Sequence, residues 1–218
     1  MDICVAEHAP QLAARWIARR LRDAVRRRGS ASLALSGGST APPMIAELAA
    51  SDVPWHAVSI WQVDERVAPD GHEARNAEQL APLVRLACRV RPMPVTAHDL
   101  RAAARRYGAS LPARFDVVHL GLGDDGHTAS WPPAEPEIRT SDRVVELVEM
   151  FAGWPRMTLT QRVVDGARSR VVLTVGEGKR PMVARWLLLD PELPITAVRR
   201  SHTWVFVDSA AAPDATLH

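Results

Sequence analysis

The run Gly121-Leu122-Gly123-Asp124-Asp125-Gly126-His127 places two adjacent carboxylates and an imidazole among glycines. An unperturbed histidine titrates near pH ~6.5, so His127 can take and return a proton at neutral pH. A carboxylate close by in sequence, Asp125, can orient the ring and stabilise its charged form. Glycines let backbone approach a bound group, which makes Gly123 a candidate ligand contact whose N–H could face an oxyanion. The chemistry expected is general acid–base catalysis. His8, His56, His98, His119 and His202 are expected to be ordinary hydrogen-bonded histidines.

Other stretches could hold an anion. Ser36-Gly37-Gly38-Ser39-Thr40 offers backbone N–H groups and hydroxyls just before a helix start, an arrangement suited to phosphate. Gly176-Glu177-Gly178-Lys179 has the outline of a nucleotide phosphate loop. However, Leu173 stands where that loop needs its first glycine, and Arg180 where it needs a magnesium-binding hydroxyl. ATP is therefore excluded, and Lys179 remains as a point charge for phosphate. Arg156 is another candidate cation. In Asp64-Glu65-Arg66, Asp64 is an alternative aid to proton transfer. The spacing of Gly121, Gly123 and Gly126 also matches a dinucleotide fingerprint, with Glu146 downstream. Asp124 and Asp125 would repel a pyrophosphate there, and Pro132-Pro133 leave no room for the helix it needs, so NAD is excluded.

These loops need elements to carry them. Apolar, β-branched runs at residues 3–5, 32–36, 57–63, 90–95, 115–120, 170–175 and 202–207 predict strands. Helices are predicted over 10–28 (closed by Gly29), 42–50, 73–86, 97–111 and 181–189. Residues 144–150 and 156–160 look extended, and 133–140 reads as loop. Alternating strands and helices imply a single α/β domain over residues 1–218, with a mostly parallel sheet covered on both faces. Such sheets bind ligands outside the carboxyl ends of their strands, where the loops above fall. The cluster at Asp64 is expected at a strand end of that same sheet.

Composition narrows the partners. The chain has 218 residues, 47% hydrophobic and 24% charged, with a net charge of +2, too small to argue for nucleic acid. The arginines between Arg15 and Arg28 surround the apolar stripe Ile17, Leu21 and Val25, and read as a solvated helix face. Cys4 and Cys88, far apart and without histidine companions, suit neither a disulfide nor a zinc site, and are expected as small buried hydrophobes. No stretch approaches the ~20 apolar residues of a membrane span, and no signal segment is visible. The expectation is a cytoplasmic protein without membrane or nucleic-acid partners, a monomer or weak homodimer.

Together these stretches resemble the 6-phosphogluconolactonase family, within the wider glucosamine-6-phosphate isomerase/deaminase superfamily. The carriers are Ser36-Gly37-Gly38-Ser39-Thr40, Asp64-Glu65-Arg66, Asn76, the loop from Gly121 to Ser130, Arg156-x-Thr158 and Gly176-Glu177-Gly178-Lys179. The resemblance implies a Rossmann-like α/β/α sandwich. It also implies hydrolysis of 6-phosphogluconolactone to 6-phosphogluconate in the oxidative pentose phosphate pathway, without metal or organic cofactor. The partner would be a small phosphorylated sugar lactone. By motif, His127 would be the general base, and Gly37, Gly38, Ser39, Thr40, Arg156 and Lys179 would hold the 6-phosphate, with Arg66 and Asn76 at the ligand.

The chain departs from that pattern at Trp131-Pro132-Pro133, where the family has Leu-Phe-Pro, and at Arg75-Asn76-Ala77, where it has Ser-Asn-Tyr. Both departures are expected to alter pocket walls. The deaminase branch is similar but carries Asp-Glu-Tyr at the Arg66 position and a carboxylate where this chain has Pro132. A sugar-phosphate sensor of the same fold would need an attached DNA-binding module, for which 218 residues leave no room. Lactone hydrolysis is the preferred expectation.

Overall fold

The computed structural model describes residues 1–86 and 89–213, so Cys88 lies outside the described residues. In chain order its elements are β1 (Asp2–Val5), α1 (Ala9–Arg28), β2 (Ala31–Leu35), α2 (Ala41–Ala49), β3 (Val58–Gln62), β4 (Asp64–Arg66), α3 (Asn76–Gln79), α4 (Ala81–Val84) and β5 (Arg89–Arg91). There follow α5 (Leu100–Ala109), β6 (Val117–Leu120), α6 (Pro136–Thr140), β7 (Val145–Phe151), β8 (Trp154–Leu159), α7 (Gln161–Gly166), β9 (Ser169–Thr174), α8 (Arg180–Leu187) and β10 (Thr203–Val207).

The main sheet has seven parallel strands in the order β1-β10-β9-β6-β2-β3-β5. Its central strands β2, β6 and β9 are buried on both faces, so alternate side chains feed two cores. Leu33 and Leu35 of β2, with Val117 and Val171, pack against Ile17 and Leu21 of α1 and Met44, Ile45 and Leu48 of α2. Ala34, Val118, Leu120 and Val172 face the opposite core, with Tyr107 of α5, Trp186 of α8 and Trp131. Helices thus cover both faces, and the fold is the α/β/α sandwich expected. Gly29 ends α1 in a left-handed conformation at φ 75°, its N–H bonding Val25 O at 2.7 Å. Among the described residues no helix is long and apolar enough to cross a membrane.

The strand order places the site. The chain builds outward from β2 through β3 to β5, then returns with β6 on the other side of β2. The loops leaving β2 and β6 therefore part company at a topological switch point, where open α/β sheets form their ligand crevice.

Several expectations need correction. The sheet is not the only one: β4, β8 and β7 form a separate antiparallel sheet, with Asp64 opposite Thr158 and Arg66 opposite Arg156. The Asp64 cluster is thus a strand of this second sheet, not the end of a strand in the first. The helix expected over 73–86 is instead α3 and α4, because Pro82 has no N–H to continue the ladder across the junction. The strand expected at 90–95 is only Arg89–Arg91, stopped by Pro92, with Met93 N–H taken by Gln62 Oε1 at 2.7 Å. The loop at 133–140 contains α6, and α7 follows β8 unpredicted. Cys4 is half-buried rather than core.

Candidate active site

A cleft of about 210 Å³ opens at the switch point. Gly37, Gly38, Ser39 and Thr40 line it from the β2–α2 loop, and Gly123, Asp124, His127 and Thr128 from the loop after β6. Asp64, Arg66 and Arg156 come from the small sheet, Asn76 from α3 and Lys179 from the turn after β9. Every residue expected at the site except Asp125 faces this cleft. Asp125 stands behind His127.

The loop after β6 is built around the imidazole. Gly123 N–H donates to His127 O at 2.8 Å and Gly126 N–H to Gly123 O at 3.1 Å, closing a tight turn with Gly126 at φ 84°. A Cβ on Gly123 would lie 2.0 Å from His127 Nδ1, so the ring folds directly over the glycine backbone. Gly123 therefore gives room, not a free N–H, and the Gly123 and Gly126 amides are engaged within the loop rather than free for an oxyanion. His127 Nδ1 lies 2.5 Å from Asp125 Oδ1, and His127 N–H also donates to that oxygen at 3.0 Å. With Nδ1–H donating to the carboxylate, Nε2 is left with the free lone pair of a base. Burial tends to raise the Asp125 pKa, but the His127 ring, the His127 N–H and the imidazole charge outweigh it and bring it down to about 2. Phe151, at the end of β7, meets the His127 ring edge-on at 4.9 Å.

Asp64 Oδ2 instead accepts a hydrogen bond from Ser130 Oγ at 2.8 Å, and no hydrogen bond joins Asp64 to His127 among the described residues. Ser130 is fully buried, and its N–H donates to Thr158 Oγ1 at 3.2 Å, tying the β6 loop to β8. Of the two carboxylates considered for His127, Asp125 makes the contact.

The cations converge. Arg66 and Arg156 are direct cross-strand neighbours, an arrangement of like charges that disfavours a sheet by itself. Burial, followed by the Arg66 charge, pushes the Arg156 guanidinium below the ordinary arginine value, while Asp64, Glu65 and Asp125 pull the other way. Arg156 Nε donates to Phe151 O at 2.9 Å, and its guanidinium stacks on the Phe151 ring at 5.0 Å. Arg66 Nη1 donates to Ala74 O at 2.7 Å. Two guanidiniums held together in a polar cleft have the charge and donor geometry suited to a multiply charged anion.

The β2–α2 loop completes the wall. Thr40, at the cap position of α2, makes no side-chain cap, so its hydroxyl is not committed to the helix. Ser36 Oγ is buried with no hydrogen-bond partner among the described residues. Gly38 N–H, expected to face a phosphate, instead donates to Gln79 Oε1 at 3.1 Å. Gly37 is glycine because a Cβ would sit 2.1 Å from Asn76 Oδ1. Asn76 Nδ2 donates to Asp64 O at 3.0 Å, so Asn76 joins this loop to β4.

Sequence reasoning missed Glu65. Its fully buried carboxylate accepts from Arg66 N, Asn76 N and Ala77 N at 2.7–2.8 Å and from Gln62 Nε2 at 2.7 Å, and pairs with Arg75 at 3.2 Å. It fixes β4 against the start of α3 and so positions Arg66 and Asn76. The Arg75 departure serves this support rather than the cleft. Trp131 likewise enters the core, its indole N–H donating to Leu159 O at 2.8 Å, and does not line the cleft. Among the described residues no group of three or more His, Cys, Asp or Glu side chains is arranged to hold a metal ion.

A switch-point α/β cleft carrying an oriented histidine and a cationic wall describes a sugar-phosphate enzyme class, and the comparisons agree. The family model for glucosamine-6-phosphate isomerases/6-phosphogluconolactonase matches residues 5–207, and the chain belongs to that family. The 6-phosphogluconolactonase of Mesorhizobium japonicum is 37% identical over 206 residues, spanning 87% of this chain and 86% of its own. That of Synechocystis is 35% identical over 178 residues, spanning 74% and 73%. The crystal structure of a 6-phosphogluconolactonase from Shewanella baltica is similar with a TM-score of 0.85 at 28% identity, covering 95% of this chain and 97% of that one.

Proposed function

We propose that this chain hydrolyses 6-phosphogluconolactone to 6-phosphogluconate, the lactone-opening step of the oxidative pentose phosphate pathway. The observation that carries the proposal is the His127–Asp125 pair, lining the same cleft as the paired guanidiniums of Arg66 and Arg156. The pair supplies proton transfer and the cations grip a dianion, as an ester ring bearing a distant phosphate requires.

His127 Nε2 takes a proton from a water that attacks C1 of the lactone. The C1–ring-oxygen bond then breaks, and the imidazolium returns the proton to the leaving oxygen. The new carboxylic acid ionises to carboxylate. Asp125, ionised above about pH 2, holds the ring in the tautomer that leaves Nε2 free and stabilises the transient imidazolium. Arg156, Lys179, Ser39 and Thr40 hold the phosphate, with Arg66 beside Arg156 and Asn76 also at the ligand. Fixing the phosphate positions C1 against His127 and supplies effective molarity. The same reading takes the chain as a monomer or weak homodimer acting in the cytoplasm on a small phosphosugar.

The test is His127→Ala, assayed on lactone generated in situ, with spontaneous opening subtracted. General acid–base catalysis contributes about 10²–10⁴ in rate, and kcat is expected to fall by that order with the fold retained. An unchanged kcat removes His127 from the mechanism.

A further inference from the structure

Lys179 is not an open cation. Its Nζ lies 2.6 Å from Asp124 Oδ1, and both residues line the cleft. The contact joins the turn after β9 to the tip of the loop after β6, across the cleft. The two aspartates of that loop thus take different partners, Asp125 the imidazole and Asp124 the lysine. Among the described residues, neither Arg66 nor Arg156 has a carboxylate at ion-pair distance; their bonds run to Ala74 O, Phe151 O and Ser130 Oγ. One cation of the wall carries a resident anion and the other two do not.

We infer that Asp124 is a built-in competitor of the substrate's phosphate for Lys179, and so sets how tightly substrate and product are held. The inference rests on the phosphate role of Lys179 proposed above. Asp124 holds the ammonium while the cleft is empty, yields it to the phosphate dianion, and takes it back as product leaves. The physical chemistry allows this exchange. The Asp124 side chain is 82% exposed, so its pair with lysine is a weak one. A phosphate brings more charge and more acceptor oxygens than a carboxylate, and wins. Lysine is a point charge on a flexible stem and changes partner without the geometric demands of a guanidinium fork.

The exchange also bears on the reaction. Substrate and product carry the same phosphate, so a full-strength grip on it binds both alike and gives no rate advantage in the chemical step. Hydrolysis adds a carboxylate to the ligand, inside a cleft already containing Asp64 and Asp124. A resident anion that reclaims Lys179 moderates the uniform grip and favours departure of the more negative product.

The test measures binding of inorganic phosphate and of 6-phosphogluconate by calorimetry at fixed ionic strength. It compares the wild type, Asp124→Asn, Lys179→Met and the double variant. Asp124→Asn is expected to tighten both ligands about three- to fivefold, the scale of one exposed ion pair, with a smaller gain at high salt. Product inhibition in the lactone assay tightens by the same factor. Lys179→Met weakens both ligands, and adding Asp124→Asn in that background changes nothing further. If Asp124→Asn leaves affinity unchanged or lowers it while Lys179→Met weakens binding, the competitor role is wrong. An equal tightening in the Lys179→Met background also overturns it, since Asp124 would then act by general repulsion. If Lys179→Met leaves phosphate affinity intact, the phosphate role of Lys179 itself fails, and this inference with it.

Discussion

At the scale of single residues, the site depends on how closely backbone and side chain can approach. The imidazole of His127 occupies the space a Cβ would take on Gly123, whose Cβ would lie 2.0 Å from Nδ1. Gly123→Ala must displace the ring from Asp125. The His127 side chain is 29% exposed, so it can swing outward without disrupting a core. The expected phenotype is that of a histidine deletion, with kcat lower by about a hundredfold or more and Tm near wild type. A wild-type kcat in Gly123→Ala, measured beside its thermal melt, would show that the ring does not need this seat. The sequence reveals the glycine but not its task, because spacing cannot tell a glycine that faces ligand from one that makes room for a neighbour. Glu65 was not legible either, since alternation sets it on the face opposite Asp64 and Arg66 only once β4 is known to be a strand.

At the scale of elements, β6 carries an unusual passenger. His119 sits fully buried in mid-strand, with no well-formed hydrogen bond to either ring nitrogen among the described residues. It is not the hydrogen-bonded histidine expected from sequence, since periodicity shows that a residue points inward but not what waits there. Burial brings its pKa from 6.5 down to about 4, opposed only by the backbone of Ser36. Above pH ~6.5 neither the folded nor the unfolded chain protonates it, and its contribution to stability is complete. As pH falls towards 4 the unfolded chain takes a proton that the fold refuses, and stability declines by about 3 kcal/mol over that window. His119→Leu should flatten that part of the curve in denaturant titrations between pH 4 and 7. A slope equal to wild type would contradict the burial of a neutral ring. Long periodic elements such as α1 are legible in sequence. The three residues of β4 are not, because so short a strand is defined by its pairing with β8 rather than by its own pattern.

At the scale of the whole molecule, the parallel sheet brings together loops far apart in sequence, and the small antiparallel sheet contributes Arg66, Arg156 and Phe151 beside them. The strand–loop–helix grammar of the main sheet made its fold and both glycine loops readable, and the family motifs supplied the cations. What could not be read was the register that sets Arg66 opposite Arg156, since pairing between distant strands leaves no local trace. In the proposed mechanism, proton transfer and phosphate capture are joined in one cleft. A comparison of wild-type kcat/KM for 6-phosphogluconolactone and for unphosphorylated gluconolactone, each corrected for spontaneous opening, tests this. Charge-assisted hydrogen bonds to phosphate contribute about 1.5–3 kcal/mol each, so a preference of about a hundredfold or more for the phosphorylated lactone is predicted. Equal values for the two lactones, or decay of the phosphorylated lactone at its spontaneous rate, would contradict it.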